Sequence, residues 1–179
     1  MSESCAVTTK HTIEMPEKSQ VTVREAPVEH GVAEGSLLVR ADSLLVETTK
    51  RIELVDVTAI VIEHVQSSGI RAGLTSLFSL HTTCALFINE TQQALHADIL
   101  RVLEQIIDRD ADWLHNDPRH SDCDRMNADS HLRAMLLGHS VMLQVAGGRP
   151  VLGQFQRVLV AEMDGPRERT IRVQTMGAP

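Results

Sequence analysis

The spacing of apolar positions changes several times along the chain, and each change marks an element. Residues 37–40 and 43–48 are aliphatic runs rich in Leu and Val. They predict two strands joined by a turn at Ala41-Asp42. Leu54, Val57, Ile60, Val61, His64 and Val65 then recur at three- and four-residue steps. That period predicts a helix ending at Ser67-Ser68-Gly69. Many of its residues are β-branched, so packing rather than propensity must hold it. Two strand-length apolar runs follow, 73–80 and 82–88. Leu95, Ile99, Val102, Leu103, Ile106 and Ile107 form a clear helical stripe, with Asn89 or Thr91 as the expected N-cap.

Residues 108–129 break the pattern. They hold seven Asp, two Asn, one Pro and two His, and no apolar period runs through them. A polar loop this long inside a domain is usually functional or disordered. Residues 130–137 predict a short helix, with Asp129 or Ser130 as cap and Gly138 as stop. Three strands are expected at 139–145, 151–155 and 157–163, the first two joined through Gly147-Gly148-Arg149-Pro150. A last strand at 170–175 alternates cleanly, with Ile171 and Val173 inward and Arg172 and Gln174 outward. Strand-rich segments interrupted by two or three helices indicate a single α+β domain over residues 36–179. Residues 1–35 show weak periodicity and many charges, and are expected to be a poorly ordered extension with one short strand around 21–24.

Composition narrows the function classes. Only 2% of the 179 residues are aromatic, with no Tyr, which disfavours a sugar-stacking groove or a base-stacking platform. The net charge is −7 and no basic stripe is visible, so no nucleic-acid partner is expected. The apolar runs are too short to span a bilayer, so no membrane partner is expected. Cys5, Cys84 and Cys123 are odd in number and far apart, which indicates a reducing, cytoplasmic setting.

The chain has no GxGxxG, GxxxxGK[ST], GxSxG or HExxH motif. Cys84 follows His81 by three residues, which in a strand places the two side chains on opposite faces; Cys84 reads as a small buried hydrophobe. The stronger constellation is His81-Thr82-Thr83, Asn89-Glu90, His115, and Asn127-Ala128-Asp129-Ser130-His131. Three imidazoles from three separate elements, His81, His115 and His131, are what a catalytic zinc site uses, with water in the fourth position. Asp122, Asp124 and Asp129 are candidates to orient those rings. The alternative is a scatter of surface and cap histidines. His120 competes with His115 for the loop position. His11, His30 and His96 read as solvated, and His64 as partly packed on its helix. Arg167 or Arg169, in a turn between two strands, could meet an anionic ligand or a neighbouring subunit.

Four blocks then carry a family resemblance. Leu80-His81-Thr82-Thr83-Cys84-Ala85-Leu86-Phe87-Ile88-Asn89-Glu90 resembles the HTTxxLxINE signature of the YjbQ-like family. So do Asn127 to Ser140, Leu152-Gly153-Gln154-Phe155-Gln156-Arg157-Val158, and Glu162-Met163-Asp164-Gly165-Pro166-Arg167. Their order and spacing match over roughly residues 38–176. The resemblance implies an α+β fold with a twisted antiparallel sheet, assembled as a homotrimer. It implies a divalent metal, zinc being expected and magnesium the alternative with a pyrophosphate substrate, held near a subunit interface by His81 and His131 with His115 as loop partner. It also implies a thiamine-phosphate-synthase-like activity, regarded as secondary. That reaction joins a pyrimidine pyrophosphate to a thiazole phosphate and releases pyrophosphate. Family members usually carry Trp where this chain has Phe155, which keeps the bulk and loses the indole N–H.

Two readings follow. In the first, the protein is a metal-dependent enzyme; Glu90 or a loop Asp is the base, Asn89 and Asp129 assist, and Arg167 or Arg149 holds phosphate. A pyrophosphate leaving group needs a cationic or metal clamp, and in so acidic a chain a metal must supply most of that charge. In the second, the protein is a non-catalytic homotrimer that binds a metal or small ligand, its stability tied to the metal.

Overall fold

The structure, a computed structural model, describes the strands Thr12–Glu14 (β1) and Gln20–Thr22 (β2) and residues 36–179. β1 and β2 pair antiparallel as a unit of their own. The strand expected at 21–24 meets β2 at its first two positions. The rest of that expectation, like His11, His30 and most of the extension proposed over 1–35, lies outside the described residues.

From Leu38 onward the chain builds two antiparallel sheets and three helices. β3 (Leu38–Glu47) runs unbroken for ten residues, where two strands and a turn were expected. Asp42 does not turn the chain because its carboxylate is satisfied in place, by Arg40 Nε and His64 Nδ1, both at 3.0 Å. β4 (Glu53–Asp56) is a strand, not the start of the first helix. Leu54 and Val55 pair with the later strand β9 (Arg157–Glu162), so Leu54 falls on the helical period only by coincidence. Helix α1 (Thr58–Ser67) starts where Asp56 Oδ1 accepts the Thr58 amide, at 2.9 Å. β5 (Ala72–Ser79) and β6 (Cys84–Asn89) fall close to expectation. Helix α2 (Gln93–Ile106) is capped by the side chain of Gln92, not by Asn89 or Thr91. Asn89 instead accepts the Glu90 amide.

Helix α3 (Ala128–Leu137) begins two residues before the expected start and stops at Gly138, whose φ of 92° suits only glycine. β7 (Ser140–Ala146) and the two-residue β8 (Arg149–Pro150) flank Gly147-Gly148, both at positive φ as a tight hairpin requires. The strand expected at 151–155 does not form. Val151 N–H still donates to the Gln144 carbonyl, but Gly153 N–H donates to Gln156 Oε1 and Gln156 N–H to the Gly153 carbonyl, which closes a turn. β10 (Glu168–Ala178) extends the predicted last strand at both ends.

The five-stranded sheet has the order β3-β10-β5-β7-β8, and the three-stranded sheet β4-β9-β6. Alternation sorts their side chains. Leu77, Val141, Leu143, Ile171 and Val173 on the larger sheet meet Cys84, Leu86, Val158 and Val160 on the smaller one, with Val57 and Val61 of α1. The other face of the smaller sheet, Ala85 and Ala161, packs on Leu103 of α2 and Ala134 of α3. The fold is therefore α+β, with α2 and α3 on the outer face of the smaller sheet and α1 packed against the core between the two sheets. The outer face of the larger sheet carries Val39, Leu45, Leu74, Phe78, Met142 and Met176, all exposed. No described helix is long and apolar enough to cross a membrane.

Candidate functional site

The loop 108–127 is tied to the domain by its own polar groups. Trp113 Nε1–H donates to the Asp108 carbonyl at 2.8 Å, and a single helical turn spans Leu114–Asn116. Asn116 Oδ1 accepts the Ala128 amide at 3.0 Å, so a loop side chain caps α3 from outside. That bond fixes the loop histidine. His115 and His131 stand edge to face, with ring centroids 5.1 Å apart and planes at 83°. His120, the competing loop residue, is exposed and borders a separate cleft with Trp113 and Arg119.

The first turn of α3 is held from three directions. Asp129 is fully buried and takes both carboxylate oxygens to Arg51, at 3.1 Å, and one to Arg133, at 3.3 Å. Ser130 Oγ donates to the Met163 carbonyl at 2.6 Å. Asn127 does not cap the helix; its amide donates to Asp164 Oδ2 at 2.8 Å. Met126, just before, is held at φ 49°, a left-handed conformation that costs a side-chain-bearing residue about 1–2 kcal/mol. Asp129 is therefore a structural anchor rather than a free carboxylate. Asp122 and Asp124 are exposed, and neither bonds to an imidazole among the described residues.

Asp164 is the carboxylate whose charge acts most on His131. Its Oδ2 accepts from Asn127 and meets Arg125 Nε and Arg167 at 3.2 Å each, while Oδ1 has no partner among the described residues. Arg125 and Arg167 keep part of their guanidinium surface open to solvent. The His131 imidazole is held below the ordinary histidine value, first by burial and then by His115, while Asp164 and Asp129 pull it back. It is neutral at neutral pH, able to accept a proton or to ligate a metal. Asp164 and Arg125 were missed as site residues. Asp164 lies three positions before Arg167 in the Glu162–Arg167 segment, but its role comes from tertiary contacts with Asn127 and Arg125.

His81 lies in the turn before β6. Its Nε2 accepts the Thr170 amide at 2.8 Å, so its proton sits on Nδ1. Burial, then Arg169, lowers its pKa. Among the described residues, no three His, Cys, Asp or Glu side chains form a group that could hold a metal ion. One chain therefore pairs His115 with His131 and does not complete the three-imidazole set with His81. Arg169 is fully buried against Glu162 and donates to Thr83 Oγ1 at 3.0 Å, so it is not the anion-binding arginine of the turn. Cys84 is buried, and burial pushes its thiol up, against a nucleophilic role.

The remaining candidates sit elsewhere. β6 pairs with β9 so that Cys84 faces Glu162 and Asn89 faces Arg157. Asn89 and Glu90 are thus at the far end of β6, about 17 Å along the strand from the Glu162 end. Both are exposed. Arg149 lies in β8, also away from Arg167. His96 is half-buried, with Nε2 shielded from solvent and unpartnered, not solvated. His64 is buried rather than partly packed. Phe155 is 62% exposed and fills no core position in this chain.

Residues 42–178 match the family of UPF0047, YjbQ-like proteins. A UPF0047 protein of Methanothermobacter thermautotrophicus is 44% identical over 141 residues, covering 79% of this chain and 94% of that protein. The UPF0047 protein YugU of Bacillus subtilis is 33% identical over 136 residues, 75% of this chain and 98% of its own. Among solved structures, a YbjQ-like protein of unknown function from Sulfolobus solfataricus is 35% identical. It superposes with a TM-score of 0.73 and covers 79% of this chain and 99% of its own.

Proposed function

The chain belongs to the YjbQ-like UPF0047 family, and on that premise we propose that the His115–His131 pair and Asp164 form a site for a small phosphorylated molecule. The observation that carries this is the edge-to-face imidazole pair whose His131 lies in the field of a carboxylate gripped by two partly open arginines. His131 supplies proton transfer. Arg125 and Arg167 offer charge-assisted donors to phosphate oxygens. The reaction is the thiamine-phosphate-synthase-like transfer, in which a leaving pyrophosphate gathers negative charge that these arginines meet.

Two imidazoles are one ligand short of the three that a catalytic zinc site takes from protein. A zinc or magnesium ion would be held by His115 and His131 together with a ligand from outside the pair. A homotrimer is part of the proposal, supported by the exposed apolar outer face of the larger sheet. The second reading is a non-catalytic binding protein, in which the same pair holds a ligand without turnover.

The test is the thiamine-phosphate synthesis assay, with and without chelator, beside metal content by elemental mass spectrometry. Wild-type protein is expected to turn over. His131→Ala is expected to lose about 100-fold or more, the usual contribution of a positioned acid–base group. Turnover that survives both His131→Ala and Arg167→Gln would overturn the site. Ligand binding without turnover would select the second reading.

A further inference from the structure

A second cleft opens at the other end of the domain, between the N-terminus of α1, β8 and the turn 151–156. Its volume is about 650 Å³, and Arg149 and Arg157 both line it. Arg149 is exposed and makes no hydrogen bond or ion pair among the described residues. Arg157 gives NH1 to the Gln154 and Gln156 carbonyls, at 3.1 and 2.8 Å, which fixes its side chain and leaves Nε and NH2 without partners among the described residues. In an acidic chain, two arginines on one cleft with a single carboxylate are a local reversal of sign.

The backbone adds to it. Ala59, in the first turn of α1, lines the same cleft. The N-cap of the helix, Val57, has no side-chain acceptor, and among the described residues no side chain caps the amides of Ala59 and Ile60. Thr58 Oγ1 already accepts the Val158 amide at 2.8 Å, so its proton is free to point outward. Ile62 and Leu152 form an apolar wall, and Asp56 contributes a carboxylate oxygen beyond the one spent on Thr58.

We propose that this cleft is a second binding site, which takes a phosphate monoester of a small organic molecule carrying a hydroxyl or amine. The two guanidiniums and the free amides receive the phosphate. The apolar wall receives the organic body, and Asp56 the donor group. The volume lies in the ordinary range for small-molecule sites. The site stands on residues separate from the His115–His131 pair, so either can fail alone.

The test uses amide NMR spectra of the intact protein titrated with phenyl phosphate, inorganic phosphate and phenol. Saturable shifts at Ala59, Ile60 and Gly153 are expected with phenyl phosphate, weaker ones with inorganic phosphate and none with phenol. Arg149→Gln is expected to weaken phenyl phosphate about tenfold, the worth of one charged hydrogen bond, with an unchanged melting temperature. His131→Ala is expected to leave these shifts as they are. The proposal is overturned if the cleft amides do not move, if phenol moves them equally, or if Arg149→Gln changes nothing. Shifts confined to residues around His131 would sink the second site and leave the first standing.

Discussion

Glu162 and Asp164 lie two residues apart, and both are held by arginine, yet they do different work. Glu162 has no exposed surface. Arg169, Thr48 Oγ1 and the Asp164 amide occupy both its oxygens. Arg169 in turn binds Thr83, joining β10, β9 and the start of β6. Nothing in that cluster is open to a ligand. Asp164 crowds its partners onto one oxygen, and its arginines reach solvent. A buried charge pair with every lone pair satisfied is a fastener, costly to break on one side. A pair at the rim is worth little to stability and keeps its groups available.

The largest expected effect follows from that contrast. Arg169→Ala leaves Glu162 buried and unpaired, and should cost about 3–5 kcal/mol in urea denaturation. Arg167→Ala should cost about 1 kcal/mol or less. Equal losses would erase the distinction between the two carboxylates.

The next effect sharpens it. Burial depresses the His131 pKa and Asp164 partly restores it. Asp164→Asn should therefore move the folded-state midpoint of His131 further down, read by NMR titration. A histidine depressed in the folded state makes the protein lose stability as pH falls below the unfolded value of about 6.5, because the unfolded chain takes up the proton first. A midpoint that stays or rises would place Asp164 outside the reach of His131.

The smallest effect concerns the turn that delivers Asn127 to Asp164. Met126→Gly relieves a left-handed strain, and should stabilise by about 0.5 kcal/mol after the added chain entropy of glycine is set against it. A lower urea midpoint would mean that the Met126 side chain contributes more than its backbone costs.

Much of the fold is legible because some elements keep a clean period. The stripe from Leu95 to Ile107 and the alternation at 170–175 both became the elements they predicted. The misreadings arose where local pattern and long-range pairing disagree. Leu54 fits a helical step but pairs with β9. Asp42 looks like a turn residue until Arg40 and His64 satisfy it. At the site, His115 and His131 could be named, but Asp129 looks like a functional carboxylate because Arg51, which joins Arg133 one helical turn on to neutralise it, comes from 78 residues away. Asp164 was passed over for the converse reason.

β10 is the last strand in the sequence and lies between β3 and β5. During synthesis, Glu47 must wait for Glu168, and Leu38 for Gly177, before β3 has any neighbour in its sheet. Arg169 arrives with the same strand, so the partner of Glu162 arrives late as well. The larger sheet thus closes in one final insertion, by contacts of the most non-local kind, which are slow to form. A ribosome-bound chain that has released everything up to β9 holds the histidine pair but not the strand that locks the floor beneath it.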